Sequence, residues 1–301
     1  VIYQVRHKTT YAYESKVTFA RCVLRLTPRS SATQTVLETS LRVTPEPTVS
    51  SERLGPFGEL ATTVVIETPH KALVIEASAR VDVHSAPSRL DFADPWEGVR
   101  AQALRTADLG REGPASFIYP SVRAPLTPAI TEYARASFSP SRGVIDAAAE
   151  LMGRMRRDFT YDAEATDVST TPLEAFEARR GVCQDFAHIM ICGLRGLGLP
   201  ARYVSGFLRT YPPPGRPRME GADATHAWVC LWCGEDTGWI GFDPTNDVLA
   251  QDDHIVLASG RDYADVAPID GIILAPGKQT LEVEVDVVPE SELATPRLAF
   301  G

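Results

Sequence analysis

Residues 179–200 read RRGVCQDFAHIMICGLRGLGLP, and this stretch decides the fold. From Cys183 to about Leu197 the apolar residues Phe186, Ile189, Met190, Gly193, Leu194 and Leu197 recur at helical spacing, with Gly198 placed as C-cap and Pro200 just beyond. The spacing predicts a largely buried helix. Just upstream, Thr171-Pro172-Leu173-Glu174 is a capping box with proline at the first helical position. A shorter helix should start there, carry Arg179 and Arg180 in its last turn and be ended by Gly181. Cys183 then opens a helix of about four turns, where unpaired backbone N–H groups and the helix dipole favour negative charge.

Working outward, Thr127-Pro128 reads as a helix start. Val144, Ala148, Leu151, Met155 and Phe159 form the stripe of another helix from about Gly143. Downstream, Ala201 to Leu208, Thr225 to Trp232, Gly238 to Phe242, Ile255 to Ala258 and Leu281 to Val288 read as strands. Helices followed by an antiparallel sheet make this half α+β. Before it, short β-rich stretches (Ile2 to Tyr13, Arg21 to Leu26, Thr35 to Val43, Ala61 to Glu67, Leu73 to Val83) are separated by turn formers, the pattern of an antiparallel β-sandwich. The expected division is a sandwich over 1–85, a linker with short helices over 86–126, and an α+β catalytic domain over 127–301.

The 301 residues are 23% charged and 44% hydrophobic, which excludes disorder, collagen and coiled coil and fits about two domains. Thirty basic against 39 acidic residues leave a net charge of −9. The charges are scattered, so no cationic face for nucleic acid or anionic lipid is expected. No apolar run approaches the ~20 residues of a membrane span, and Val1-Ile2-Tyr3-Gln4-Val5-Arg6 alternates like a strand rather than a leader. Five irregularly spaced cysteines (Cys22, Cys183, Cys192, Cys230, Cys233) fit a reducing compartment better than a disulfide scaffold. A soluble, cytoplasmic protein is the expectation.

Chemistry converges on three residues. Cys183 sits where a nucleophilic thiol is placed, although a free cysteine is also an ordinary small core residue. In Thr225 to Trp232, period two puts His226, Trp228, Cys230 and Trp232 on one face. If Trp228 pairs with Asp243, six residues remain for the loop and His226 becomes a diagonal neighbour of Asp243, about 7 Å away between Cβ atoms. A shift of one residue would move Asp243 to the other face. An imidazole can take the thiol proton and return one to a leaving amine, while a carboxylate fixes its tautomer. Singly, a strand histidine satisfies a core hydrogen bond and Asp-Pro starts a turn.

Four ordered segments, Arg180–His188 (RGVCQDFAH), Gly198–Gly206 (GLPARYVSG), Ala224–Trp228 (ATHAW) and Gly238–Asn246 (GWIGFDPTN), resemble the bacterial transglutaminase-like cysteine peptidase family. The β-rich start and the tail with Gly260-Arg261-Asp262-Tyr263 are also similar to that family. The resemblance implies a papain-like core and a catalytic Cys183, His226 and Asp243. The chain departs from it at Gly55-Pro56-Phe57-Gly58-Glu59, where such proteins tend to carry an Asp and then Phe-Gly-Asn.

Gln184, Tyr161 and Trp228 are candidates for oxyanion or substrate contacts beside the Cys183 N–H. Asp185 and His188 point away from Cys183 along the helix and read as capping or core hydrogen-bond groups. Cys230-Leu231-Trp232-Cys233 places its sulfurs on opposite faces of a strand, and Asp252-Asp253-His254 reads as a solvated turn, so no metal is expected. Nor does the chemistry need a cofactor. The loop Tyr211 to Glu220 is a possible lid whose Arg216 and Arg218 would favour acidic substrates, or else are solvated. The expected function is a thiol-dependent acyl hydrolase cleaving a peptide or isopeptide amide. Transfer of the acyl group to an amine, as in a protein-glutamine transglutaminase, and a non-catalytic binding role stay open.

Overall fold

Period two governs most of the first 84 residues, which form six strands: β1 (Ile2–Val17), β2 (Phe19–Leu24), β3 (Gln34–Thr44), β4 (Val49–Leu54), β5 (Leu60–Ile66) and β6 (His70–Val83). The computed structural model describes residues 1–84, 94–211, 221, 223–274 and 277–293. On β6, Leu73, Ile75, Ala77, Ala79, Val81 and Val83 are all buried, each separated by a more exposed residue. The sequence pattern gives no sign of β4, because Val49-Ser50-Ser51-Glu52-Arg53-Leu54 is an edge strand exposed along its whole length.

Next come α1 (Trp96–Arg105), α2 (Pro128–Arg135) and α3 (Val144–Asp158), then β7 (Thr160–Tyr161), α4 (Pro172–Ala178), β8 (Arg180–Gly181) and α5 (Cys183–Gly196). The strands β9 (Ala201–Leu208), β10 (Ala224–Trp232), β11 (Trp239–Asp243), β12 (Val248–Leu249) and β13 (His254–Gly260) form an antiparallel sheet in the order β12-β11-β10-β9-β13. The chain continues through α6 (Tyr263–Val266), β14 (Ile269–Leu274), β15 (Gln279–Pro289) and α7 (Glu290–Leu293). The expected α+β class is what the structure shows.

Two boundaries need correction. The expected catalytic domain ran to residue 301, yet β14 and β15 belong to the sandwich, whose antiparallel sheets run β15-β1-β6-β3 and β14-β2-β5-β4. Tyr3 pairs with Pro289 and Leu24 with Ile269. Alternation in Leu281 to Val288 identifies a strand but not its partner, and β1 and β2 each had a free edge to fill. The expected linker is also partly core. Trp96, Val99 and Ala103 of α1, with Ile118 and Ala124, share one apolar cluster with α3 and α5. Residues 85–93 of that linker lie outside the described residues.

β1 and β6 are long strands of 16 and 14 residues, and each serves two cores. Tyr13 and Val17 of β1, with Leu73, Ile75 and Ala77 of β6, pack inside the sandwich. Tyr3 and Val5, with Ala79, Val81 and Val83, instead pack on Phe207, Ile255 and Leu257 of the five-stranded sheet. The overhang of the sandwich thus covers β9 and β13.

In the α+β half, α5 is the central helix. It packs closely on α2 because Gly193 has no side chain: a Cβ there would lie 2.7 Å from the Ala134 Cβ. Arg195, buried in its last turn, donates to the Ala201 carbonyl (3.1 and 2.7 Å), the Arg261 carbonyl (2.6 Å) and Ser121 Oγ (3.0 Å). Burial pushes this guanidinium down to about 10. The capping box at Thr171 and Glu174 forms as expected, but Gly181 does not end α4. Arg179 takes the left-handed position (φ 55°), with its guanidinium 4.2 Å from the Phe176 ring centre and 4.8 Å from that of Phe159, so cation–π contact favours a residue that geometry alone would make glycine. Among the described residues, no helix is long and apolar enough to cross a membrane.

Candidate active site

Cys183 is the first residue of α5. The helix start is held by Asp185, whose Oδ2 accepts from the Val182 N–H (2.8 Å) and from Thr166 Oγ1 (2.7 Å). Here lies the reason for Gly181: a Cβ at that position would come 2.5 Å from Asp185 Oδ2. Further along the helix, His188 accepts from the Tyr263 N–H at 3.2 Å. Asp185 and His188 therefore have the capping and core roles read from their helix positions. Alongside, β7 pairs in parallel with β8, Tyr161 opposite Gly181, so the Phe159-Thr160-Tyr161 segment runs up to the cysteine.

The β10–β11 hairpin has the register on which the histidine–carboxylate contact depended. Val229 pairs with Phe242 and Trp232 with Trp239, leaving six loop residues and setting Trp228 beside Asp243. His226 Nε2 then reaches Asp243 Oδ2 at 2.8 Å. That contact occupies Nε2 and leaves Nδ1 as the other ring nitrogen, and Cys183 lies near enough to act on the imidazole. Burial opposes charge on His226, but the hydrogen bonds and charges of Asp243 and Cys183 outweigh it and raise the imidazole to about 9.

Asp243 is fully buried and accepts five hydrogen bonds. Oδ1 accepts from the backbone N–H groups of Thr245 (3.0 Å) and Asn246 (3.3 Å). Oδ2 accepts from His226, from Asn246 Nδ2 (2.7 Å) and from His254 Nε2 (3.1 Å). Burial alone would raise the carboxyl, but the bonds from His226, His254 and Asn246 hold it well below the usual carboxylate range.

His254 corrects the reading of Asp252-Asp253-His254 as a solvated turn. It is buried, and its ring lies 6.1 Å from that of His226. The available signal was Gly206, a glycine inside a buried strand, which marks close approach. A Cβ on Gly206 would lie 2.5 Å from Trp228, and Trp228 packs edge-on to His254. Asn246, quoted within its motif but given no role, is the other residue missed.

The remaining candidates separate. Tyr161, 54% exposed, lies in a cleft of about 290 Å³ with Phe159, Phe186, Leu208, His226 and Asn246. Its phenol is raised, first by burial and then by the nearby Cys183. Gln184 is half-buried in the first turn of α5. Trp228 does not line that cleft: it is 1% exposed, stacked on His226 with ring centres 6.2 Å apart, and supports the imidazole from within the sheet. The possible lid, including Arg216 and Arg218, lies outside the described residues except at Tyr211. Cys230 is half-buried and Cys233 buried, and all five cysteines are free thiols. Among the described residues, His226, Asp243 and His254 are the group whose potential ligand atoms lie together, within 4.8 Å. The hydrogen bonds to Asp243 account for that spacing.

Residues 3–82 match the bacterial transglutaminase-like N-terminal region, and residues 131–244 match the transglutaminase-like superfamily. An uncharacterized protein of Mycobacterium tuberculosis is 40% identical over 295 residues, covering 95% of this chain and 92% of its own. A structure from Cytophaga hutchinsonii, presented as a candidate cysteine protease, superposes with a TM-score of 0.72 at 20% identity, over 96% of this chain and 91% of its own. That likeness is one of fold. A protein-glutamine gamma-glutamyltransferase of Pseudomonas aeruginosa is 32% identical over 116 residues, 37% of this chain and 17% of its own.

Proposed function

This chain belongs to the transglutaminase-like superfamily, and from that premise we propose that it is a thiol-dependent acyl hydrolase acting on a peptide or isopeptide amide through a Cys183 thioester. The observation that carries the reading is His226, held on Asp243 by Nε2 and near enough to Cys183, at the head of α5, for the thiol to act on its imidazole.

Nδ1 of His226 takes the thiol proton, and the thiolate attacks the amide carbonyl carbon. The oxygen gains the negative charge, which the Cys183 N–H, free in the first helical turn, can receive. As the C–N bond breaks, the imidazolium gives its proton to the departing amine and a thioester remains. His226 next takes a proton from water, whose oxygen attacks the thioester and releases the acid and the thiol. Asp243 keeps the imidazole in the tautomer that presents Nδ1 to sulfur and supports its charge. The aromatic and aliphatic cleft with Tyr161 would take the acyl side of the substrate. Five free thiols favour the cytoplasm as its compartment.

Acyl transfer to an amine is a second reading, favoured by the name of the Pseudomonas aeruginosa relative, which matches over 37% of this chain. Both readings are tested by incubating the protein and Cys183→Ala with a mixed peptide library, with and without a labelled primary amine, and reading products by mass spectrometry. Cleavage lost in Cys183→Ala is the expected result, and amine-tagged products would replace hydrolysis by transfer. No product, together with iodoacetamide labelling Cys183 no faster than the other four cysteines, would leave a binding role.

A further inference from the structure

Three N–H donors meet on one oxygen of Asp243, and one of them is an imidazole that takes no part in the steps above. His254 accepts at Nδ1 from the Gln251 N–H (3.4 Å), so its proton is on Nε2, which donates to Asp243 Oδ2 (3.1 Å). Its ring is fixed on its other sides by Trp228, edge-on with centres 5.2 Å apart, and by His226. The backbone around it is tied to the sandwich. Tyr3 donates to Asp253 Oδ1 (2.8 Å), and the buried Gln34 amide donates to the Val256 carbonyl (2.8 Å) and accepts from the Val256 N–H (2.9 Å).

We infer that His254 is a positioning residue for the proposed catalytic reaction: from a strand clamped to the N-terminal sandwich, it donates a second imidazole hydrogen bond that fixes the Asp243 carboxylate in the orientation from which it holds His226. Without that donor, Asp243 keeps its bonds from Thr245 and Asn246, but the oxygen that faces His226 loses its support on the β13 side. The imidazole then spends less time aligned with Cys183, and a misplacement of about an ångström is enough to slow a reaction substantially. The inference rests on the functional reading above, so its test includes a measurement that needs no substrate.

The test compares His254→Gln, His254→Asn and His254→Phe. Glutamine carries a donor to the place of Nε2. Asparagine carries one only to the place of Nδ1, and phenylalanine keeps the ring without a donor. Each is assayed for the rate at which iodoacetamide alkylates Cys183, and for kcat and KM on whichever amide the library assay identifies. The expected result is His254→Gln close to wild type, with His254→Asn and His254→Phe slowed at least about tenfold in alkylation and kcat while KM is unchanged. The inference is overturned if His254→Phe or His254→Asn reacts as fast as wild type, if His254→Gln is as slow as His254→Phe, or if only KM moves. Should wild type turn over no amide, the functional reading fails while the alkylation comparison still decides the role of His254. Should the two damaging variants not fold, imidazole ¹H–¹⁵N spectra of the wild-type protein decide instead. A protected Nε2–H on His254 coupled to Asp243 is expected, and the Nδ1–H tautomer overturns the inference.

Discussion

Replacing Asp243 by Asn keeps the size of the side chain and removes its charge, which makes it the most informative single change. His226 stands at about 9 against its ordinary 6.5, a preference for imidazolium of about 3 kcal/mol. Burial works against that charge and Cys183 alone remains to offset it, so without the carboxylate the imidazole should fall from about 9 toward its ordinary 6.5. At about pH 8 a full fall to 6.5 would take the protonated fraction from about nine-tenths to about three-hundredths, so the proton donation to the leaving amine should slow by up to about thirtyfold. The assay is kcat/KM, with Cys183 alkylation beside it, from about pH 5 to about pH 10. In wild type the alkaline limb should lie near 9, and in Asp243→Asn it should move toward 6.5. Stability carries the same signature. A raised histidine stabilises fully below about 6.5 and loses this as pH rises through about 9, while a depressed carboxylate stabilises above about 3.9 and loses this in acid. The gap in urea unfolding between wild type and Asp243→Asn should therefore be widest between about pH 4 and pH 6.5 and narrow above about pH 9. Superposed pH profiles, or a gap that widens toward alkaline pH, would refute the electrostatic reasoning.

Two further outcomes concern the scaffold. Gly193→Val would press a branched side chain against Ala134, already 2.7 Å from a notional Cβ, and should lower stability by about 1–3 kcal/mol in urea unfolding; an unchanged midpoint would contradict the close approach of α2 and α5. Ending the chain at Pro268 removes β14 and β15, including the buried Val285 and Val287, each a valine whose burial is worth about 1.5–3 kcal/mol. The truncated chain should lose cooperative thermal unfolding, and a sandwich that still melted as one unit would show those strands to be dispensable.

How much of this was legible beforehand depended on whether a signal was local. The helix after Cys183, its neighbours and the hairpin register are set by spacing within a few dozen residues, and there the sequence pattern and the structure agree. The partners of β14 and β15 lie more than two hundred residues away, where alternation specifies a face but not a neighbour. β4 carried no apolar alternation because neither of its faces is buried. Arg179 broke the expectation of a glycine helix stop because three aromatic rings receive its guanidinium. His254 was hidden by its neighbours: two aspartates before it suggest solvent, and its burial follows from the space beside Gly206 and the cover that the sandwich gives β13.

That cover has a temporal side. Because Tyr3 pairs with Pro289 and the α+β segment is threaded between β6 and β14, the sheet that backs β9 and β13 cannot gain its outer strand until residues 279–289 have left the ribosome. A nascent chain would by then have long since exposed Cys183, His226 and Asp243. On the proposed reading, reactive chemistry would be present before its support, so a chain halted in translation would carry the three side chains without the finished frame that aligns them.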